Sequence, residues 1–571
     1  MSKQEQPGSA HWYSAVEAPE VLSDVDAGRW DESADFVVVG YGGAGVAAAI
    51  EAAERGLSVI ALDRYEGGGS TALNGGIYYA GGGTAIQKQA GVEDSVEAMF
   101  QYLRGETQGV VSDATLRDFC EGSAASLDWL IERGVRFDAT VYAKKTSYPP
   151  PGYHLYHSDS SLCAARAAVA KPAPRGHKVY SPSTVKAATG FGVALTDPLR
   201  AAAEKLGVRL HRHSEVRKLI TDPSGRVVGV SLWQIPASSP AYAEYARLQG
   251  LANKYLLLLP PAFPGAGITM ALSRRYAAKA QKLEAQHRVE RRIRAKKGVC
   301  LSAGGFVFNR QMVDHHAPKY SAGMPLGNPG DDGSGIRLGQ SVGGATDRMQ
   351  HMSAWRFVSP PAGMSWGMMV DGRGKRFSDE TAYGAAIGYE IIEHCQGRAW
   401  IVFDARLYAE IQKQLKSGEL YPFQRDPAKL ALMFARKKAP TLEALAEKCG
   451  LDAATLKGEV EAYNRAAEGA APDTYGKSAK DAWALQQGPY YALDISIHSR
   501  LFPLPTLSLG GLVVDEKSGA VQRADGSAVP GLFAAGRNAV GICSHLYVSG
   551  LSAADCIYSG RRAAVAAASA A

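Results

Sequence analysis

At 571 residues the chain is too long for one hydrophobic core, so two domains are expected. A hydrophobic content of 46% with 21% charged residues excludes a disordered chain. No run of about eighteen apolar residues predicts a membrane-spanning helix. The net charge of +7 is unevenly distributed along the chain, as described below.

The first residues and the cysteines favour a cytoplasmic protein. Residues 1–34 are predicted to be an N-terminal extension, because they lack the basic-then-apolar pattern of a secretory signal. The seven cysteines are never spaced Cys-x-x-Cys, which favours free thiols over disulfides or cysteine-bound zinc. No histidine or acidic cluster has the spacing of a metal site, so no metal is expected.

The next stretch predicts a dinucleotide-binding unit. An apolar run ends on the pattern Gly40-x-Gly42-x-x-Gly45, an alanine-rich helical segment follows, and a second apolar run ends on Asp63. Such glycines let the backbone approach a pyrophosphate at the positive end of the helix, and the acid accepts hydrogen bonds from a ribose. The complete strand–turn–helix–strand–acid order argues against a glycine turn without a ligand.

A second glycine-rich stretch, 67–76, follows directly and favours a flavin over a nicotinamide cofactor. FAD lies extended, so a second loop must wrap its pyrophosphate and ribityl chain with amides and hydroxyls. A nicotinamide-binding domain needs no loop of this kind, although a flexible glycine loop is the alternative. Because the loop contains no histidine that could carry the flavin, we expect FAD to be bound non-covalently.

The middle of the chain predicts helices and a hairpin. Residues 92–131 show helical patterns, and 146–198 predict a long loop, which in a compact domain is usually functional. Residues 209–220 and 227–235 predict two strands joined across an Asp-Pro-Ser-Gly turn.

Residues 236–297 interrupt this pattern before the next predicted strand, 298–308. The run 255–272 is strongly apolar but contains three prolines, and 273–297 carry ten basic side chains against two acidic ones. An apolar segment beside a basic helix predicts attachment to an anionic membrane surface without spanning it. A solvated helical hairpin or an oligomer contact is an equally supported alternative. Nucleic acid is not expected, because no binding motif accompanies the charge.

The remaining chain indicates a second domain and a return to the first. Residues 321–500 predict a mixed α+β domain, inserted into an FAD-binding domain formed by 35–320 and 501–571. The predicted fold is therefore α/β, a Rossmann-like FAD-binding domain with an inserted α+β catalytic cap domain. The N-terminus of the last helix would direct its dipole at negative charge on a reduced flavin.

Four motifs resemble the fumarate reductase/3-ketosteroid dehydrogenase superfamily of flavoproteins, and among its members the 3-ketosteroid Δ4-(5α)-dehydrogenases most. These motifs are Gly76–Thr84, Pro172–His177, Gly531–Arg537 and Tyr547–Gly550. The resemblance implies a bacterial FAD-dependent enzyme that desaturates a ring of a lipophilic 3-ketosteroid. It also implies an electron acceptor, a quinone or another compound.

The same resemblance implies the catalytic residues. The family's Tyr-x-Ser falls on Tyr547 and Ser549, and a further active-site tyrosine falls on Tyr383. The reaction removes a proton next to the carbonyl and transfers a hydride from the neighbouring carbon to the flavin. Tyrosine is a weak base at neutral pH, so a hydroxyl relay must assist it. Tyr547 with Ser549 fits base and relay, and Tyr383 could polarise the carbonyl or shuttle the proton.

The predicted cofactor-binding residues lie on the glycine-rich turns or near the ends of predicted strands and helices. They are Gly40, Gly42, Gly43, Ala44, Gly45, Asp63, Arg64, Ser70, Thr71, Asn74, Gly75, Gly76, Val216, Ala303, Gly304, Gly536, Arg537, Gly550, Leu551 and Ser552.

Two alternatives to Δ4-desaturation depend on the residues near Tyr547, and a third depends on the glycine set. Δ1-dehydrogenases have a Gly-Pro-Gly-Gly run after this tyrosine, whereas Val548, Ser549, Gly550 and Leu551 follow it here, which favours the Δ4 type. Reductases of the fumarate type need an arginine in this stretch, so a small diacid substrate is disfavoured, although an ene reductase stays open. A non-catalytic relative, as in GDP-dissociation inhibitors, would not need the glycine set.

Overall fold

The computed structural model describes residues 16–180, 191–259 and 265–570. Residues 1–15 of the predicted extension and the three prolines at 260, 261 and 264 lie outside the described residues. Within the described ranges no helix is long and apolar enough to cross a bilayer. The same part of the chain contains no group of three His, Cys, Asp or Glu side chains that could hold a metal ion.

Strands and helices are both distributed throughout the described part of the chain. The strands are β1 (Glu20–Val21), β2 (Glu32–Val39), β3 (Val59–Leu62), β4 (Ile77–Tyr79), β5 (Val141–Tyr142), β6 (Leu155–Tyr156), β7 (Gly176–Lys178), β8 (Arg209–His211), β9 (Ser214–Thr221), β10 (Val227–Gln234), β11 (Val289–Leu301), β12 (Met324–Pro325), β13 (Thr346–Asp347), β14 (Met352–Ala354), β15 (Met368–Asp371), β16 (Ala399–Phe403), β17 (Arg436–Ala439), β18 (Tyr490–Asp494), β19 (Pro505–Ser508), β20 (Gly511–Leu512), β21 (Ala520–Gln522) and β22 (Ala528–Ala534). The helices are α1 (Gly43–Glu54), α2 (Gly69–Leu73), α3 (Ala85–Gln89), α4 (Val96–Thr107), α5 (Asp113–Glu121), α6 (Ser123–Glu132), α7 (Ala164–Ala167), α8 (Val193–Lys205), α9 (Tyr242–Leu258), α10 (Ala266–His287), α11 (Arg310–His316), α12 (Ser334–Ser341), α13 (Ala362–Ser365), α14 (Gly384–Glu393), α15 (Ala405–Gln414), α16 (Pro422–Phe434), α17 (Leu442–Cys449), α18 (Ala453–Ala467) and α19 (Leu551–Ser569).

The largest sheet is built around the long strand β11. Its strand order is β1-β9-β10-β11-β2-β3-β8, with β22 also paired to β11 and β21 to β22. The first half of β11 pairs antiparallel with β10, and its last residues pair in parallel with β22. The other edge of β11 pairs in parallel with β2. Because helices cover both faces of its parallel part, β2 ends in the fully apolar and buried run 36–39.

Two alanine-rich helices bring the start of the chain and its end together. Helix α1 follows β2, and α19 packs along it with small residues at the contact. A Cβ on Gly560 would clash with the backbone oxygen of Ala44. This close approach places the middle of α19 beside the first turn of α1, while the N-cap of α19, Gly550, lies against β4.

A second hydrophobic core lies around the antiparallel sheet β15-β16-β18-β17. Its buried residues come from 358–502. Side chains from 306–354 belong instead to the core on the large sheet. The two cores support an inserted cap, and the domain boundaries at 320 and 500 stay a prediction.

Helices α9 and α10 form an antiparallel hairpin between the paired strands β10 and β11. Its small core contains Ile235, Tyr245, Leu248 and Ala280. The prediction of one basic helix is wrong for the second half of the basic run, because residues 289–297 belong to β11. There Arg291 forms an ion pair with Glu32, at 2.8 Å, across the sheet. Half-buried sheet positions with acidic neighbours can hold these arginines, so a basic run alone does not specify a helix.

The predicted strand 209–220 is two separate strands. β8 pairs with β3, whereas β9 pairs with β10 and β1. His213 has a φ of 52° and is the non-glycine residue at which the chain turns between them. The hairpin of β9 and β10 confirms the predicted pairing across the Asp-Pro-Ser-Gly turn.

Candidate active site

The first glycine turn depends on close backbone contacts. Gly40 has a φ of 92°, and a Cβ there would lie 2.5 Å from the Cα of Ala303. A Cβ on Gly45 would clash with the backbone oxygen of Gly40. Only glycine fits both positions, so three of the predicted cofactor residues meet at the ends of β2 and β11.

Asp63 ties this turn to the second glycine loop. Its buried carboxylate accepts hydrogen bonds from the backbone amides of Tyr41, at 2.9 Å, Tyr65, at 2.8 Å, and Gly67, at 3.3 Å. A carboxylate has about four lone-pair sites, so an acceptor site remains for a ribose hydroxyl. The neighbouring Arg64 forms an ion pair with Glu215 at 2.8 Å.

The second loop approaches the first through hydroxyl and amide groups. Thr71 Oγ1 accepts a hydrogen bond from the Gly43 amide at 3.1 Å. Asn74 Oδ1 accepts one from the Gly76 amide at 2.7 Å. The oxygen of Gly75 accepts the hydroxyl of Tyr148 at 2.7 Å. The second loop is thus anchored both to α1 and to the long segment after residue 146.

Asp331 is a residue that the sequence reasoning missed. It accepts hydrogen bonds from Ser70, at 2.6 Å, and from Arg537, at 2.9 Å. Burial alone would lower the pKa of Arg537, but the Asp331 carboxylate outweighs this and raises it. A Cβ on Gly304 would clash with the same carboxylate. The available signal was the Gly-Asp-Asp-Gly sequence at 330–333, directly before α12.

The remaining predicted cofactor residues lie in three places. Gly550 has a φ of 84° at the N-cap of α19 and accepts a hydrogen bond from the Tyr79 amide at 3.2 Å, with Leu551 and Ser552 next to it. Val216 points into the core of the large sheet, so only its backbone could contact a cofactor. Ala44 and Gly536 lie near each other, since a Cβ on Gly536 would be 2.9 Å from Ala44 Cβ.

The donor set of this region fits FAD. It offers helix N-termini and a cationic Arg537 for phosphates, and the carboxylate of Asp63 for a ribose. The next residue, Asn538, is fully buried, and neither polar atom of its side chain has a hydrogen-bond partner in the described part of the chain. A buried amide without partners calls for a polar group that completes the site.

The three predicted catalytic side chains come together in front of α19. Burial raises the pKa of Tyr547 well above its usual value, and the neighbouring Tyr383 adds to this. Burial also raises the pKa of Tyr383, against a hydrogen bond to the Ser549 side chain that lowers it. The structure therefore links Ser549 to Tyr383. The ring of Tyr547 instead packs on Trp355, with centroids 4.6 Å apart.

Tyr156 is a second residue that the sequence reasoning missed. Its hydroxyl lies 3.3 Å from Ser549 Oγ, and the side chain is fully buried. Tyr156 comes from β6, within the predicted long loop 146–198. A functional loop was expected there, but no pattern in the loop singled out this tyrosine.

Tyr383 is held by a buried cluster of charges in the cap. Glu380 accepts two hydrogen bonds from Arg376, both at 2.9 Å, and lies 3.0 Å from Lys477 Nζ. Desolvation alone would raise the pKa of Glu380, but Lys477 and Arg376 lower it. Arg376 also contacts Asp473 at 2.6 Å. Only two residues separate Glu380 from Tyr383, so this cluster fixes the position of Tyr383 at the N-cap of α14.

Comparison with known proteins supports the site. A family model described as an FAD binding domain matches residues 35–550. A 3-oxo-5-alpha-steroid 4-dehydrogenase from Comamonas testosteroni is 37% identical over 522 residues, covering 90% of this chain and 94% of the relative. A 3-oxosteroid 1-dehydrogenase from Mycobacterium tuberculosis is 25% identical over 566 residues, covering 90% and 94%.

A solved structure agrees with both the fold and the sequence relation. The crystal structure of a 3-ketosteroid-delta4-(5alpha)-dehydrogenase from Rhodococcus jostii RHA1, in complex with 4-androstene-3,17-dione, matches with a TM-score of 0.79 and 32% identity. The match covers 97% of this chain and 100% of that chain. The predicted α/β fold and the predicted FAD cofactor are confirmed.

Proposed function

The chain belongs to the family of FAD binding domains, and we propose that it uses FAD to desaturate a 3-ketosteroid between C4 and C5. The observation that carries the proposal is the meeting of Tyr547, Ser549 and Tyr383 in front of α19. The greater identity to the 4-dehydrogenase, 37% against 25% for the 1-dehydrogenase, favours C4–C5 over C1–C2.

FAD, when bound, supplies the acceptor for the hydride. Tyr547 takes the proton from the carbon next to the carbonyl. A buried, neutral tyrosine is a poor base, so as it accepts the substrate proton its own hydroxyl proton must pass on to another hydroxyl. Tyr383, the neighbour of Tyr547, begins that relay and passes the proton to Ser549, which also contacts Tyr156. Tyr383 also lines a polar cleft together with Asp159, through which the proton can leave.

The reaction is tested by product analysis. Purified enzyme is incubated with a 5α-reduced 3-ketosteroid that is saturated in ring A, together with an artificial electron acceptor. We expect a C4–C5 double bond in the product, located by NMR. A C1–C2 double bond, or reduction of an unsaturated ketone without any desaturation, would contradict the proposal. Enzyme stripped of FAD is the control for uncatalysed oxidation.

We further propose that the α9–α10 hairpin holds the protein on a membrane surface. Its far end exposes apolar side chains, with Leu258 50% and Ile268 68% exposed. Exposed basic side chains follow along the hairpin, among them Lys254, Arg274 and Arg275. Each basic residue near an anionic surface contributes about 1 kcal/mol, and the apolar end adds a part that salt does not weaken.

Attachment would place the enzyme where a lipophilic steroid and a lipophilic electron acceptor, such as a quinone, accumulate. Flotation with anionic and neutral liposomes tests it. We expect Arg274→Glu with Arg275→Glu to lose binding to anionic vesicles, and Leu258→Asp with Ile268→Asp to lose the salt-resistant part. Arg294→Ala, on β11, is the matched control and should float like the wild type. Equal flotation of all variants, or none for the wild type, would contradict membrane attachment.

A further inference from the structure

Lys178 is a buried lysine outside the groups assigned above. It lies on β7, the strand between β4 and β6 in the small sheet β4-β7-β6-β5. Only 2% of the residue is exposed. Its partner in the register is Ile77 on β4, directly after the second glycine loop. The backbone of Lys178 therefore lies close to the second glycine loop, in the cofactor-binding part of the fold.

Aromatic rings surround the ammonium group. Nζ lies 4.8 Å from the ring centroid of Tyr421 and 5.4 Å from those of Tyr148 and Phe191. It donates a hydrogen bond to the Tyr421 hydroxyl at 2.7 Å. Tyr421 belongs to the cap, at the N-cap of α16, so the lysine lies where the cap meets the flavin domain. Ring faces attract a cation without neutralising it.

No carboxylate forms an ion pair with Lys178 in the part of the chain that the structure describes. The titratable groups that face it are Tyr148, Tyr421 and His154. Burial lowers the pKa of Lys178 to about 8, so most molecules carry the charge at neutral pH. A buried cation without an anionic partner is costly, and one that is kept at a binding site favours an anionic ligand.

The ring cluster leads from Lys178 to the catalytic hydroxyls. Tyr156 on β6 pairs with Gly176, two residues before Lys178, so both side chains lie on one face of the sheet. Diagonal neighbours of this kind are about 7–8 Å apart. Tyr156 and Tyr148 share one apolar cluster, and Tyr156 contacts Ser549. A ligand that reacts near Ser549 can therefore lie along the rings with its far end near Lys178.

We propose that Lys178 binds a carboxylate on the side chain of the steroid, at the end away from the reacting ring. The substrate class is then a 3-ketosteroid acid. The aromatic rings contact the apolar body, and the ammonium group pairs with the acid. This proposal rests on the proposed steroid dehydrogenation and adds the identity of the substrate's far end.

A matched pair of substrates tests this. One is a 5α-reduced 3-ketosteroid with a carboxylic acid side chain, and the other is its primary amide, which is similar in size but neutral. For the wild type we expect kcat/KM to be at least about tenfold higher for the acid, the scale of a lost charge-assisted hydrogen bond. Turnover of the amide reports the proposed dehydrogenation independently of Lys178.

Variants of Lys178 distinguish recognition of the substrate's charge from a purely structural hydrogen bond to Tyr421. Lys178→Met should abolish the preference for the acid, and Lys178→Arg should keep most of it. Lys457→Met, at an exposed helical lysine, is the matched control and should leave the ratio unchanged. A ratio that is the same in wild type and Lys178→Met would overturn the proposal and leave the lysine as a tie to Tyr421. A wild type without preference for the acid would overturn it as well.

A pH profile of the wild type needs no variant. The acid stays ionised above pH 6, so only Lys178 changes charge near its pKa of about 8. The preference for the acid over the amide should be full at pH 6.5 and fall as the pH rises through 8. A ratio that stays constant from pH 6.5 to 9.5 would contradict recognition by Lys178, even if Lys178→Met does not fold.

Discussion

Tyr547 and Tyr383 reach one site from two regions that position side chains in different ways. Tyr547 comes just before α19, which packs on α1 through alanine and glycine contacts. Tyr383 comes just after Glu380, whose carboxylate is buried between the cations of Arg376 and Lys477. Close backbone contact fixes the first tyrosine, and a cluster of buried charges fixes the second.

The two devices have different weaknesses. Helices α1 and α19 meet largely through alanine and glycine, with one ion pair between Glu51 and Arg561, so a single added methyl group is the change that disturbs their contact most. A buried charge cluster depends on each of its members, because removal of one leaves the others without a counter-charge. The flavin side of the site should therefore be sensitive to added volume, and the cap side to lost charge and to acid.

The largest expected effect comes from removing one charge of the buried cluster that holds Tyr383. Glu380→Gln leaves Lys477 buried without its carboxylate partner and Arg376 with Asp473 alone, and we expect the free energy of unfolding to fall by about 3–5 kcal/mol. Urea unfolding followed by circular dichroism measures the change. Glu443→Gln, at an exposed ion pair, is the control and should unfold like the wild type. Equal stability of both variants would show that the cluster does not support the cap.

The second effect compares the two tyrosines directly. Tyr547→Phe should lower kcat by roughly a hundredfold or more, the usual scale for a lost acid–base group. The FAD content should not change. Ser549→Ala should act in the same direction but less, because water can replace a relay hydroxyl. If Tyr547→Phe retains near-normal kcat while Tyr383→Phe does not, the base is Tyr383.

The third prediction adds one methyl group to the first glycine turn, where FAD is expected to bind. A Cβ on Gly42 would meet no protein atom closer than 3.8 Å, so Gly42→Ala should fold normally. We expect about tenfold weaker FAD binding, because the added methyl lies where the backbone approaches the pyrophosphate. FAD titration of the apoprotein measures it. Gly250→Ala, with open space around it, is the control. Unchanged FAD affinity in Gly42→Ala would contradict the assigned approach.

Asp63→Ala tests the same FAD-binding region by removing hydrogen bonds instead of adding side-chain volume. It removes the acceptor for the amides of Tyr41, Tyr65 and Gly67, and we expect flavin-poor protein. The absorbance ratio of flavin to protein after purification is the measurement. Full flavin occupancy in Asp63→Ala would remove the basis for its role at the ribose.

The smallest effect is the pH dependence of the cap. The charge cluster lowers the pKa of Glu380 below its usual 4.5 and that of Asp473 below 3.8. Stability from lowered carboxyl pKa values is present above the unfolded values and is lost as the pH falls through the folded ones. The difference in Tm between wild type and Glu380→Gln should therefore be constant from pH 8 to 5 and shrink below about pH 4. A difference that persists to pH 2 would contradict this.

The sequence was most informative where one short pattern determines the backbone. The glycines at 40, 42 and 45 and the acid at 63 lie where the pattern predicts, and clashes exclude other residues at Gly40 and Gly45. Asp331 and Tyr156 could not be found in this way. They act through contacts with Ser70, Arg537 and Ser549, far away in the chain, and no local pattern encodes those contacts.

The basic run shows the same limit for secondary structure. Local composition predicted a helix over 273–297, but pairing with β2 and β10 makes its second half a strand. Arg291 and Arg292 form ion pairs there with Glu32 and Glu20, which lie near the start of the chain. Tertiary pairing overrides helical composition when a sheet position offers both hydrogen bonds and counter-charges.

The position of the α9–α10 hairpin has a consequence for how such proteins change in evolution and in engineering. Gln234 and Val289 are paired neighbours in the sheet, so any chain that joins them leaves the register untouched. A flexible connection of this length costs only about 2 kcal/mol more loop-closure entropy than a four-residue turn. The junction can therefore gain or lose a whole module in one step. A reporter domain or a targeting peptide inserted there should leave the catalytic chemistry intact.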